Sequence, residues 1–313
     1  MEEERRIVVM STIYYKTLIM VITIFLGWLL RRLNILQKND ARVISKILMN
    51  ITLPCVVVTN INGLELGWDI LVAVIIGILA NFFFFAPTYL FSRADDPDDR
   101  VVKVFSFSSF NIGNYVIPLL TGAITPHAMA GVLAFNYVGT AFFTYGMPPV
   151  VASIAYGVKG ESIGKRLWNS LSRNMTLLTC IVMVTLSLLK LRLPDSVVGV
   201  FRSIGGANAT LAMLLIGLLL DLKLPQDERG TCFKIVAVRF SCAVICGLCI
   251  WFFAPVADDM RRALTLTVFA PISSVMPALA LHCGYNGSRV AVVNSMYMVV
   301  SVMSMTVMTL ILY

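Results

Sequence analysis

Charge is scarce in this sequence. Asp, Glu, Lys and Arg make up 13% of the 313 residues, where a soluble domain carries about a quarter. Hydrophobic residues make up 58%, and the mean hydropathy is +0.84. So little charge leaves no room for a separate soluble domain and marks an all-α polytopic membrane protein. Catalytic signatures are missing too. There is no H-E-x-x-H, no Walker loop and no dinucleotide fingerprint, so enzymatic activity lacks support and no cofactor is expected. Gly160-Glu-Ser-Ile-Gly164 matches the nucleophile-elbow pattern, but it sits in a short basic loop with only His282 following. It reads as coincidence.

A disulfide framework is also absent. The seven cysteines fall mostly inside apolar runs and read as small packing residues. Cys246-Gly-Leu-Cys249 has redox-motif spacing without the βαβ context that motif needs. The net charge of +8 comes with no RNP-like, zinc-finger or helix-turn-helix pattern, so nucleic acid is not an expected partner. Cytoplasmic loops of membrane proteins gather Lys and Arg anyway. Asp95-Asp-Pro-Asp-Asp99 reads as a solvated turn, and no second cluster of ligands joins it, so no metal is expected.

What the chain does have is long apolar runs. They fall near 10–30, 40–61, 69–92, 102–123, 128–157, 172–190, 197–221, 231–254, 263–284 and 289–312. The first run is too long for a signal h-region and reads as a retained span. Shifting the first five runs by 159 residues lands each on one of the last five. Five spans per half is odd, so the halves insert upside down relative to each other, as an inverted repeat. The expected organisation is one membrane domain: repeat 1 over 1–157, a short cytoplasmic link over 158–171, and repeat 2 over 172–313. Counting Lys and Arg by loop gives 17 on one side, Arg239 and Arg289 among them, and 8 on the other. That split places both termini outside.

The chain is organised around Ser108–Pro118. Asn111, Gly113, Asn114 and Pro118 all work against helix in a span-length apolar run. A broken helix is expected there, and broken helices are where secondary transporters hold their substrates. Pro277 lies 159 residues after Pro118, and at that offset Asn114 falls on Ser273. Two matched interruptions in two halves point to a transport site. Span two carries a further proline interruption, Asn50–Pro54; span five carries Asn136, Tyr137 and Thr140; span seven opens with Gly205-Gly-Ala-Asn208, which reads as helix packing.

No Asp or Glu sits in either broken segment, so a paired-carboxylate ion exchanger is disfavoured. His282 is the titratable group near a break, either a proton relay or simply a residue at its helix end. The expected site is therefore neutral and polar. Half-helix N-termini could hold a carboxylate there without an arginine in the membrane, which favours an organic anion over a neutral polar solute.

Together, Leu53-Pro54, Asn111-x-Gly113-Asn114 with Pro118, and Ser273-Ser274 with Pro277 resemble the auxin efflux carrier family of the bile/arsenite/riboflavin transporter superfamily. The resemblance covers essentially the full length. It implies ten helices, broken helices four and nine crossing, a scaffold and a moving transport unit, elevator-like alternating access, and homodimers in the plasma membrane. Carried over by position, Asn111, Gly113, Asn114, Pro118, Asn136, Tyr137, Ser273, Ser274 and Pro277 would line the substrate site. The link between spans five and six is short, as in microbial members, which points away from auxin and toward small mono- or dicarboxylates. H+ or Na+ remain open as coupling ions. A sodium-coupled symporter and a non-transporting sensor with the carrier fold are the alternative readings.

Overall fold

The computed structural model describes residues 15, 18–19, 21–37, 40–63, 67–90, 97–121, 123–140, 143, 147–148, 151, 172, 175–220, 229–273, 276–277, 280 and 287–312. The described residues are helical and contain no strand. Five helices among them are long and apolar enough to cross a membrane: Ala41–Ile61, Trp68–Thr88, Asp195–Leu218, Arg229–Phe253 and Arg289–Thr309. Helix is the only open-chain form that satisfies its own backbone in hydrocarbon. Large apolar side chains such as Phe252, Phe253, Leu188 and Leu79 remain exposed, as surfaces meant for lipid do.

In chain order the elements are α1 (21–32), α2 (Ala41–Ile61), α3 (Trp68–Leu90) and α4 (Pro97–Phe107). Next come α5, a π turn over Ile112–Val116 continuing as Ile117–Leu120, and α6, Pro126–Ala134 followed by a π stretch over Phe135–Thr140. The second half has α7 (Met175–Leu188), α8 (Asp195–Gly205), α9 (Asn208–Leu219), α10 (Arg229–Phe253), α11 (Asp258–Thr267) and α12 (Gly287–Leu312).

The prolines act differently from the sequence expectation. Pro54 cannot donate to the carbonyl four residues back, and α2 answers by widening into a π turn over Leu48–Thr52. Regular helix resumes at Leu53 with Pro54 in its first turn, where a missing N–H is harmless. Span two is thus continuous, not interrupted. Pro118 is handled alike, in the first turn of Ile117–Leu120 after the π turn. The break lies at Ser108–Asn111, between α4 and α5, inside the expected Ser108–Pro118 stretch but ahead of its proline. Its counterpart follows α11, where Val268–Ser273 leave the helix.

Two pairs of helices recur near the offset read from the sequence. Adding 159 to Trp68–Leu90 gives 227–249, against Arg229–Phe253; adding it to Pro97–Phe107 gives 256–266, against Asp258–Thr267. The first break maps onto 267–270, from the last residue of α11 into the second break.

Packing relies on close approach, because lipid offers no hydrophobic drive between helices. A Cβ on Gly217 would overlap the Ile24 carbonyl oxygen, and one on Gly27 would overlap that of Leu214. Only glycine lets α1 and α9 meet. Arg31 of α1 then donates from Nη1 to the Leu218 and Leu220 carbonyls, at 3.2 and 3.0 Å, closing the C-terminal end of α9. Gly205 behaves as the sequence reading expects, since a Cβ added there would stand only 3.2 Å from the Val56 nitrogen of α2.

Three helix starts gather at one end. Thr125 caps α6 by accepting from the Ala128 N–H at 3.2 Å, and its own N–H and hydroxyl donate to Asp259 of α11 at 2.9 and 2.7 Å. His127 meets Asp69 of α3 at 3.3 Å. Elsewhere Asp99, expected in a solvated turn, accepts from Arg289 at 2.7 Å and joins α4 to α12.

Candidate functional site

The two breaks touch. The Asn111 N–H donates to the Pro271 carbonyl at 2.7 Å, joining backbone that has left the helix in both halves. Asn111 has φ −88° and ψ 60° and is 3% exposed, and its Nδ2 has no partner among the described residues. In the second break, the Ser273 carbonyl accepts from Asn294 Nδ2 of α12 at 3.2 Å, and the Phe269 carbonyl accepts from the Ser301 hydroxyl. The hydroxyls of Ser106 and Ser109 and the Oδ1 of Asn294 also lack partners among the described residues. Leaving a buried polar atom unpaired costs about 1–3 kcal/mol. A cluster of such atoms around two unwound segments is what a site for a polar solute or for water requires.

A buried cation adjoins the first break. Arg239 of α10 is fully buried, and its Nη1 donates to the Ser106 carbonyl at 2.7 Å while Nη2 donates to that of Ser109. Its guanidinium carbon lies 5.2, 5.3 and 4.9 Å from the ring centres of Phe84, Phe110 and Tyr297. Such stacking favours a delocalised cation. This corrects two expectations. Arg239 is not a loop residue for the orientation count, and the site is not free of arginine. The signal was there to read, since Arg239 lies inside the apolar run 231–254, and an ionisable group within a span is a functional candidate by default.

Neutral polar groups extend the site on its other side. Gly113 is half-buried in the π turn of α5, with its carbonyl 3.5 Å from Asn208 Nδ2. Asn208 Oδ1 accepts from the Thr52 hydroxyl of α2 at 2.9 Å. Asn208, read from sequence as part of a packing motif, instead ties three elements together. Thr52, Asn208 and Asn294 were not assigned to the site by sequence. Each is one polar residue in an apolar run, a weak signal alone.

Of the expected site residues, Asn111, Gly113 and Ser273 come together at the breaks. Ser273 is 9% exposed, and Pro277 is half-buried on the short helical piece that follows. Asn136 is half-buried on the π stretch of α6, next to Phe135, whose ring lies 5.9 Å from that of Phe110. The Thr140 hydroxyl lies 3.3 Å from Asn81 Nδ2. Asn114, Pro118 and Tyr137 keep their helical backbone positions, but their side chains lie outside the described residues. Ser274 and His282, the candidate relay, also lie outside. Among the described residues no group of three His, Cys, Asp or Glu could hold a metal ion.

No curated protein matches the chain. Residues 12–154 match the family described as "Membrane transport protein", a region that contains the first break, α2 to α6 and the Gly113 π turn. Over that first half the chain is therefore similar to membrane transport proteins, in line with the resemblance its motifs carry.

Proposed function

We infer that the chain is a secondary active carrier that moves a small organic anion, a mono- or dicarboxylate, across the plasma membrane. The observation that carries this reading is the meeting of the two breaks, Asn111 N–H to Pro271 carbonyl, among buried polar atoms that have no partner among the described residues. The Arg239 guanidinium beside them favours negative charge in the cargo. The 159-residue recurrence of elements supports two five-helix repeats of opposite orientation, with helices four and nine crossing at the site. Access then alternates by an elevator-like movement of the unit that holds the crossover, in a homodimer.

The test is uptake into proteoliposomes of labelled mono- and dicarboxylates, with sodium and pH gradients imposed separately. Saturable uptake of one acid supports the carrier. Binding of an acid without uptake would contradict it and favour a sensor that keeps the carrier fold.

A further inference from the structure

Coupling cations in secondary transporters sit on unwound carbonyls and on the C-terminal ends of half-helices. The first break presents such an end. Helix α4 stops at Phe107, and the carbonyls of Ser106 and Ser109 are taken by one side chain, Arg239. Phe84, Phe110 and Tyr297 close around its guanidinium, and no carboxylate among the described residues pairs with it. The second break is built differently. There the carbonyls of Phe269 and Ser273 take neutral donors, Ser301 and Asn294. Shifting Arg239 back by 159 residues gives Ala80 on α3, so the repeat does not itself demand a cation at this place.

A cap for two carbonyls can be neutral, as the second break shows. An uncompensated buried charge is expensive in any span, and it is retained where a charge is used. Guanidinium also suits the place. Its planar fork reaches two carbonyls at once and stacks on rings, which an ammonium or a metal ion does less well.

We propose that the Arg239 guanidinium is a tethered cation that fills the place a coupling metal ion takes in cation-driven carriers, giving the crossover a permanent positive charge for an anionic cargo. This rests on the carrier reading above. The carbonyls that would attract sodium are already occupied, and the charge cannot dissociate between cycles. The carrier therefore needs no co-transported alkali cation. A monoanion moved alone carries net charge, so its flux follows the membrane voltage.

The experiment compares wild type with Arg239→Ala and Arg239→Lys. Thermal unfolding of each purified protein is followed in choline, sodium or guanidinium chloride at equal low-millimolar concentration. The wild-type midpoint is expected to be the same in all three salts. Arg239→Ala is expected to unfold earlier and to regain stability saturably with guanidinium but not choline. Saturable stabilisation of wild type by sodium, or an Arg239→Ala protein indifferent to guanidinium, would overturn the proposal. Should Arg239→Ala not fold, Arg239→Lys decides. It keeps the charge and is expected to take up acid without sodium, and a sodium requirement there would overturn the proposal. In liposomes, wild-type uptake is expected at equal rates in sodium and choline and faster with the interior positive. If no acid moves while the unfolding pattern holds, the carrier reading fails and the tethered cation stands.

Discussion

The N–H of Asn111 and the carbonyl of Pro271 lie 2.7 Å apart, and this one bond joins two places where helices come undone. Both segments would otherwise carry unpaired backbone groups, which the membrane interior penalises heavily. Each break supplies what the other lacks. The bond uses only Asn111's backbone, which frees its buried side-chain amide for something else.

The α1–α9 contact is set by two glycines. Gly217→Ala would press a methyl group into the Ile24 carbonyl, and the helices must separate. A loss of about 2 kcal/mol or more is expected in an unfolding titration. Gly199→Ala is the control, since a Cβ there meets nothing within 4 Å. It should be neutral or stabilise by up to about 1 kcal/mol. Equal effects at the two positions would contradict the packing account.

Thr52 and Asn208 are expected to act as a unit. Their hydroxyl-to-amide bond is buried and joins α2 to α9. Thr52→Val and Asn208→Ala should each destabilise the protein, and the double variant should lose about 1 kcal/mol less than the sum. A double-mutant cycle on unfolding midpoints measures this. Strict additivity would mean the bond contributes nothing.

At the gathered helix starts, Thr125 both caps α6 and donates to Asp259. Thr125→Val keeps the shape and removes both bonds. It should cost about 1–2 kcal/mol, with Asp259→Asn costing less because Asn still accepts. A chemical unfolding series on the two variants checks the order.

Much of this architecture was legible in the sequence. Apolar runs and the 159-residue offset located α3, α4, α10 and α11, because span length and polarity are set by the bilayer rather than by fine packing. Proline was the less reliable guide. Pro54 and Pro118 sit in first turns after π turns, where a missing donor is absorbed, so the break falls at Ser108–Asn111 instead. Arg239 was misassigned for a physical reason too. Its place inside the run 231–254 marks an intramembrane charge, but its role depends on the three rings and two carbonyls that enclose it. Those contacts come from elements far apart in the chain, and no local pattern announces them.

The central claim is that the cargo is held where the breaks meet, and Asn111→Ala tests it most directly. The substitution leaves the Asn111–Pro271 backbone bond in place and removes an Nδ2 that nothing among the described residues engages. Stability should change by about 1 kcal/mol or less, while saturable uptake of the transported acid into proteoliposomes should be lost. Uptake at the wild-type rate by a folded Asn111→Ala protein would contradict the assignment of the site.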